Sequence, residues 1–321
     1  MAEARVVFLQ RLPEKIVDVV LSHNPDGFTT SLLDGRLSEG EQKSAVAEAD
    51  FILHFGTPVH DDVLRAAGKA KLVQMMAAGY DEMNLKLMSE LGIPCANNGG
   101  ANSWAVSDHT LMLMLALNKK LALGERSVRD GSWNRSVGRL NTYEMAGKLV
   151  GLVGIGNIGR QVARRVQAFD ALVQYHDVYP LDEGREKELN VTRVELDELF
   201  RTSDVVSLHT PLTAETRHLV NRERIATMKP TALLINTARG PVVDEAALIE
   251  GLQAGRIAGA GLDVFEQEPI DPANPLLAMD NVVLTPHIAG ITWDTWSRRA
   301  RFAYANMQRV WRGEAPQAVA G

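Results

Sequence analysis

One cysteine in 321 residues leaves no internal disulfide to be made. That cysteine, Cys95, follows Ile93 and Pro94 in a strand-like run and reads as a small core residue in a reducing, cytoplasmic setting. A surplus of positive charge is also missing. The 34 Lys and Arg stand against 40 Asp and Glu, a formal net charge of −6. Such a balance gives no electrostatic reason to bind nucleic acid. Long apolar runs are absent too. The most apolar helical stretch, residues 111–117, is too short to span a bilayer, so no membrane partner is expected. Nor does the N-terminus show a charged-then-apolar leader, and regulation by an appended C-terminal module is not expected. What is present is length. A chain of 321 residues divides naturally into two domains. Each can bury its own core without a disulfide or structural metal, and no metal site is expected.

No internal repeat or low-complexity stretch interrupts the chain. Residues 5–9, 51–54, 71–75 and 93–95 read as strands, separated by helix-like stretches such as residues 61–67. Alternation of this kind implies a parallel sheet covered by helices. A helical segment follows from about Ser103 to Gly124. The poorly periodic stretch from Arg126 to Gly147 then reads as an extended arm. A second alternation has strands at residues 149–153, 171–176, 204–208, 232–235, 257–262 and 282–284. No strand follows the last helix, residues 292–312, which is assigned to the first block. The expected division is a discontinuous substrate domain, residues 1–102 and 291–321, around a nucleotide-binding domain at 103–290.

The most specific local signal is Gly154-Ile155-Gly156-Asn157-Ile158-Gly159. It follows the apolar run 149–153 and opens an amphipathic stretch, residues 160–169. Strand, glycine turn and helix stand in the order a dinucleotide site needs. Gly154 can take the angles of a tight turn, Gly156 lets a pyrophosphate approach the backbone, and Gly159 lets helix and strand pack closely. The helix N-terminus adds free N–H groups and a partial positive charge. Asp177 ends the next strand, 18 residues past Gly159, where a carboxylate accepts hydrogen bonds from the adenosine ribose. It would repel a 2′-phosphate, and Val178 and Tyr179 offer no cation to hold one. The predicted cofactor is NAD, in preference to NADP.

Three runs at later strand ends carry acid–base and anion-binding chemistry: 236–240 with Arg239, 263–269 with Glu268, and 285–290 with His287. Ligands of open parallel sheets bind beyond the carboxyl ends of the strands. The trio suits one reaction. Reduction of a 2-oxo acid needs a hydride at C2, a proton on the oxygen and a grip on the carboxylate. Arg239 offers a planar fork for that carboxylate and can polarise the carbonyl. His287 can donate the proton, because imidazole titrates near about 6.5. Glu268 can hold the other ring nitrogen, fix the tautomer and favour imidazolium.

With these residues in view, the chain resembles the D-isomer-specific 2-hydroxyacid dehydrogenase family over nearly its whole length. The resemblance rests on the run 154–159, the run from Ser203 to Thr213 (Ser-Asp-Val-Val-Ser-Leu-His-Thr-Pro-Leu-Thr), and the Arg239, Glu268 and His287 runs, in order and spacing. It implies a Rossmann NAD-binding domain inserted into a flavodoxin-like parallel α/β substrate domain. It also implies a homodimer and catalytic roles for Arg239, Glu268 and His287. Cofactor roles carry over to Gly154, Gly156, Asn157, Ile158, Gly159 and Asp177 in the first half of the site. In the second half they fall on His209, Thr210 and Pro211 in a cofactor loop, and on Thr237, Ala238, His287 and Gly290. Asp263 matches a residue near the nicotinamide amide. Substrate roles fall on Ala78 and Gly79, whose backbone amides take the carboxylate, on Asn102 near the interdomain hinge, and on Arg239.

Three features depart from the family's usual pattern. Val106-Ser107-Asp108-His109 stands where Val-Ala-Glu-His is common, and His54-Phe55-Gly56-Thr57 where the first substrate loop often has Arg-Ser. The second change disfavours a phosphorylated or strongly anionic substrate. Asp170 replaces a common glycine after the glycine-turn helix and is expected to accept a left-handed backbone. Trp104, Trp293 and Trp296 are expected to pack. The function expected is an NAD-dependent reductase of small 2-oxo acids of the glyoxylate or hydroxypyruvate kind, yielding D-2-hydroxy acids. A formate dehydrogenase on the same scaffold and a non-catalytic NAD-sensing corepressor are the alternatives. Formate dehydrogenases carry glutamine where Glu268 stands.

Overall fold

A computed structural model describes residues 3–56, 59–139 and 142–320. Thr57 of the expected substrate loop and Leu140 and Asn141 of the expected arm lie outside the described residues. The chain forms two compact units, Met1–Asn102 with Ile291–Gly321, and Ser103–Gly290, so in chain order the second interrupts the first.

The first unit is a five-stranded parallel sheet: β1 (Ala4–Gln10), β2 (Phe28–Asp34), β3 (Phe51–Phe55), β4 (Leu72–Met75) and β5 (Cys95–Ala96). Its order is β2-β1-β3-β4-β5, the flavodoxin-like order. Helices α1 (Glu14–Leu21), α2 (Glu39–Val46), α3 (Asp61–Ala66) and α4 (Leu85–Leu91) connect the strands. Alternate side chains of each strand leave by opposite faces, and both faces are covered. Val7, Leu9, Ile52 and Val73 meet Val46, Leu64 and Leu87 on one side. Val6, Phe8, Phe51 and Leu72 meet Trp296, Ala300, Ala303 and Met307 of the C-terminal helix (Trp293–Trp311) on the other. That helix therefore packs within the first unit. Each large apolar side chain so buried stabilises the fold by roughly 1.5–3 kcal/mol. Cys95 is buried in this core, and its burial pushes the thiol up to about 12, so it stays protonated. The C-terminal tail covers the short edge strand, with Val319 bridging Ala96 and Ala320 N–H donating to Cys95 O at 2.8 Å.

The second unit opens with α5 (Ser103–Asn118) and α6 (Leu121–Arg129), then a 3-10 turn at Arg135–Gly138. Its seven-stranded parallel sheet comprises β6 (Leu149–Val153), β7 (Leu172–His176), β8 (Thr192–Arg193), β9 (Val205–Leu208), β10 (Leu233–Asn236), β11 (Gly259–Leu262) and β12 (Val282–Leu284). The order is β12-β11-β10-β9-β6-β7-β8, the doubly wound Rossmann order with one strand added. Helices α7 (Asn157–Gln167), α8 (Glu183–Leu189), α9 (Leu196–Thr202), α10 (Arg222–Thr227) and α11 (Glu245–Gln253) complete it. The apolar stripe of α7, Val162, Ala163 and Val166, packs with Val150 and Leu152 of β6 and with Leu113, Met114 and Leu117 of α5.

Several expectations are corrected. The single helix from 103 to 124 is two, because Lys120 takes a left-handed φ of 52° and α6 begins after it. The arm's first residues, 126–129, belong to α6 rather than to an extended chain. Strand β2 escaped the sequence pattern. As an edge strand it buries only Phe28 and Leu33, so it carries no apolar run. Trp104 is 52% exposed and Trp293 62% exposed, so neither is buried in a core, whereas Trp296 is. Trp293 is the first residue of its helix, one turn before the buried stripe. Asp170 does take a left-handed φ, at 59°.

Candidate active site

The carboxyl ends of β10, β11 and β12, adjacent in the sheet, carry the three candidate catalytic residues. After β10 the chain turns on Asn236, whose side chain donates to Arg239 O at 2.9 Å and accepts from Ala238 N–H at 3.1 Å. Arg239 is half-buried, and its Nη1 donates to Ala238 O at 2.6 Å. Gly240 must follow, because a Cβ there would lie 1.8 Å from Phe265 O in the loop after β11. The two loops are thus in backbone contact.

That second loop brings Glu268 back onto itself and onto the third. Glu268 Oε1 accepts from Phe265 N–H at 3.0 Å, and Oε2 lies 2.7 Å from His287 Nδ1. One carboxylate oxygen fixes the loop and the other fixes the imidazole, leaving His287 Nε2 as the outward ring nitrogen. The hydrogen bond to Glu268 raises the His287 pKa above its ordinary value against the effect of burial. The Arg239 charge opposes the rise and the Asp263 charge supports it. For Glu268, burial pushes upward, but the His287 and Phe265 hydrogen bonds outweigh it and hold the carboxyl below its usual range. The pair therefore favours imidazolium beside carboxylate.

His287 stands in an unusual backbone conformation, with φ at 55°. Its N–H donates to Asp263 O at 2.8 Å, and the next two N–H groups, of Ile288 and Ala289, donate to the Asp263 carboxylate at 2.9 and 2.8 Å. Successive amides after a left-handed residue make a small anion-binding concavity, and Asp263 fills it. Thr285 Oγ1 donates to Asp263 Oδ1 at 2.6 Å and lies 2.9 Å from His109 Nε2, on α5. His109 and Thr285 were not legible as site residues, being 176 positions apart in sequence. The same holds for His218, whose Nε2 lies 2.6 Å from Glu266 Oε1 and so ties the loop after β9 to the Glu268 loop. The hints available were that Thr285 and His109 stand in the 285–290 and 106–109 runs, and that the Glu268 run carries three further acidic or amide residues, Asp263, Glu266 and Gln267.

The glycine turn fits a pyrophosphate. A Cβ at Gly154 would approach His209 O to 2.8 Å and one at Gly159 would approach Gly154 O to 2.2 Å, so both positions need glycine. Gly156 has nothing within 4 Å of its Cβ position and is the N-cap of α7, with no side chain capping the helix. The first-turn amides therefore face open space at the positive end of the helix. Asn157 is exposed, with Oδ1 accepting from Arg160 at 2.9 Å, and Ile158 is half-buried on the core. Asp177 directly follows β7, and its two oxygens accept from Ile155 N–H at 2.7 Å and Tyr179 N–H at 2.8 Å. It thereby braces the glycine turn from the adjacent strand. Val178 and Tyr179 are exposed.

Among the other expected cofactor residues, His209 Nε2 lies 3.0 Å from Ser207 Oγ, and burial pushes its pKa down to about 3. It is neutral at neutral pH and is no proton donor of the His287 kind. His209 Nδ1 and Thr210 Oγ1 are both buried without a hydrogen-bond partner. Pro211 O accepts from Thr216 Oγ1 at 2.7 Å, and Thr237 Oγ1 lies 3.0 Å from Thr110 Oγ1. Gly290 closes the His287 run as the last residue of this unit. In the first unit, Ala78 and Gly79 follow β4, half-buried, and among the described residues their N–H groups donate no hydrogen bond. Asn97 Nδ2 donates to Ala78 O at 3.1 Å, and Asn102 is buried with Oδ1 unpartnered. Among the described residues, no group of three or more His, Cys, Asp or Glu is placed to hold a metal, and no helix is long and apolar enough to cross a membrane.

The NAD-binding domain model of the D-isomer-specific 2-hydroxyacid dehydrogenases matches residues 111–289. The chain belongs to this family. It is 42% identical over 261 residues to a glyoxylate reductase of Korarchaeum cryptofilum, covering 81% of this chain and 78% of that protein. It is 38% identical over 266 residues to a hydroxypyruvate reductase of Thermotoga maritima, covering 82% and 85%. Among solved structures, the apo form of D-mandelate dehydrogenase from Rhodotorula graminis superposes with a TM-score of 0.87 at 31% identity, covering 99% of this chain and 98% of that one. The protein is thus an NAD-binding dehydrogenase that interconverts small 2-oxo and 2-hydroxy acids.

Proposed function

We propose that this dehydrogenase works as a reductase of a small 2-oxo acid, of the glyoxylate or hydroxypyruvate kind, with NADH preferred to NADPH. The observation that carries the mechanism is the 2.7 Å contact between Glu268 and His287 beside the Arg239 loop. When bound, NADH supplies the hydride. Arg239 grips the substrate carboxylate and polarises its carbonyl; in the first unit, the N–H groups of Ala78 and Gly79 keep the carboxylate-binding role that the family resemblance implies. His287, kept protonated by Glu268, delivers a proton from Nε2 to the oxygen that gains charge. In the reverse direction neutral His287 takes that proton. Cofactor preference is supported by the Asp177 carboxylate at the end of β7, which opposes a 2′-phosphate, and by the absence of a cation at Val178 and Tyr179.

The reading includes a homodimer and a cytoplasmic setting. Support for the dimer is the exposure of Leu121, Val128 and Trp133 along α6 and the turn after it. Support for the setting is the lone, buried thiol of Cys95. The test is a panel of 2-oxo acids, glyoxylate, hydroxypyruvate and pyruvate among them, assayed with NADH and with NADPH. Turnover with NADH at higher kcat/KM than with NADPH is expected. No turnover of any 2-oxo acid would overturn the catalytic reading, and equal efficiency with both cofactors would overturn the preference. Sedimentation at micromolar protein should show a dimer, and a lone monomer would count against one.

A further inference from the structure

The proton donor sits on a loop that does not hold itself. His287 has a left-handed φ of 55°, a conformation that L-residues rarely adopt because Cβ crowds the following carbonyl oxygen. What keeps it there is Asp263, through one backbone carbonyl and both carboxylate oxygens. Asp263 is buried, so its own orientation has to be fixed from behind. The groups behind it are Thr285 and His109.

Hydrogen counting sets the direction of this chain. The Asp263 carboxylate accepts two amide N–H groups and the Thr285 hydroxyl, which lies 2.6 Å from Oδ1. The hydroxyl has one hydrogen, and it is directed at Asp263. Thr285 Oγ1 can then only accept from His109 Nε2, 2.9 Å away. His109 Nε2 itself lies 3.6 Å from Asp263 Oδ1, beyond direct hydrogen bonding. His109 is thereby fixed with hydrogen on Nε2, and α5 is coupled through Thr285 and Asp263 to the loop that carries His287. Burial lowers the basicity of His109 while the Asp263 charge raises it.

We infer that His109 is a positioning residue for the proton donor: its Nε2–H, relayed by Thr285 to Asp263, holds the His287 loop where the imidazole meets Glu268. This rests on His287 being the donor. The charged groups that face His287 are Glu268, Arg239 and Asp263, and His109 reaches it only through the last of these. Loss of the His109 hydrogen bond should free Asp263 to rotate, loosen the loop and lengthen the Glu268–His287 contact. Misplacement of a reacting group by about 1 Å can cost roughly 10²-fold.

The experiment compares His109→Leu with His109→Gln, whose side-chain amide can offer N–H from nearly the same place. For each, kcat for 2-oxo acid reduction is read against pH, NADH affinity is read by fluorescence, and deuterated NADH checks that hydride transfer limits. His109→Leu should lower kcat by about tenfold or more. It should also move the alkaline fall of the profile to lower pH, and leave NADH affinity within about twofold. His109→Gln should restore both kcat and profile. Should His109→Leu fail to fold, Thr285→Val, which keeps the shape and deletes the hydroxyl, takes its place against Thr285→Ser. Normal kcat with an unmoved alkaline limb in the folded Leu or Val variant would overturn the inference. So would equal impairment of His109→Gln and His109→Leu. His287→Ala serves as the control. If it too turns over normally, the donor assignment has failed; if it is dead while His109→Leu is normal, only the positioning role has.

Discussion

The two sheets each begin with a strand, a turn and a helix, and the two turns differ in the one respect that matters for a nucleotide. Between β1 and α1 the chain runs Gln10-Arg11-Leu12-Pro13, and Glu14 opens the helix. The Gln10 side chain takes the Leu12 N–H, and the first turn already carries a carboxylate at the positive helix end. Between β6 and α7 stand Gly154, Ile155 and Gly156, the first turn of α7 has no acid, and Gly156 faces open space. A βα turn is therefore no anion site by topology alone. Glycine must open the approach, and nothing charged or capping must already fill the helix end. The strand ends repeat the lesson. Both sheets have carboxyl edges, and the first carries Arg11, Asp34 and His54 there, but in the second the loops after β11 and β12 place Glu268 2.7 Å from His287 beside the Arg239 loop.

The largest test of that comparison separates chemistry from binding. His287→Ala should cost about 10²–10⁴-fold in the chemical step of reduction while NADH still binds. Loss of NADH binding instead would mean that the strand-end chemistry and the glycine turn are not separable. Nearly as large, Arg239→Ala should cost about 2–5 kcal/mol in kcat/KM, with poor rescue by Lys, which lacks the planar fork. Near-normal turnover in Arg239→Ala would remove the arginine from the site.

A smaller change sharpens the contrast between the two turns. Asn157→Glu gives α7 the first-turn acid that α1 has. It should weaken NADH binding by about tenfold with the circular dichroism unchanged. Undiminished NADH affinity would show that the acid in α1 is not what distinguishes the turns.

The smallest expected effect is a displacement in pH. Reduction needs protonated His287, and its pKa is raised by Glu268, so the rate should hold through neutral pH and fall as pH rises through the raised value. Oxidation needs the neutral ring and should show the opposite trend. Glu268→Gln removes the charge that supports imidazolium, so the alkaline fall of reduction should move to lower pH while the rate well below it changes less. An unmoved limb, with chemistry limiting, would mean that Glu268 orients the ring without tuning it.

Much of this was legible from local pattern. Parallel strands buried on both faces read as apolar runs, which is why residues 149–153, 205–208 and 233–235 stood out. The glycine turn was legible because its requirements are local. Positive φ, close approach and a helix start all fall within six residues. Strand β2 was not, since an edge strand needs few apolar side chains, nor was β8, which is two residues long. The break at Lys120 left no mark either, because lysine carries no signal for a left-handed backbone.

The sequence by itself determined the class of fold, the place of the dinucleotide turn and the identity of the residues with the right chemistry, because each depends on neighbours in the chain. Only the tertiary structure decided which of those residues touch. Glu268 and His287 are 19 residues apart, and their 2.7 Å contact exists because β11 and β12 are paired in register. The chain from His109 through Thr285 to Asp263 spans two distant segments and depends on α5 packing against that sheet. Hydrogen bonds need atoms placed within a few tenths of an ångström, and residue order alone does not set positions across a sheet to that precision.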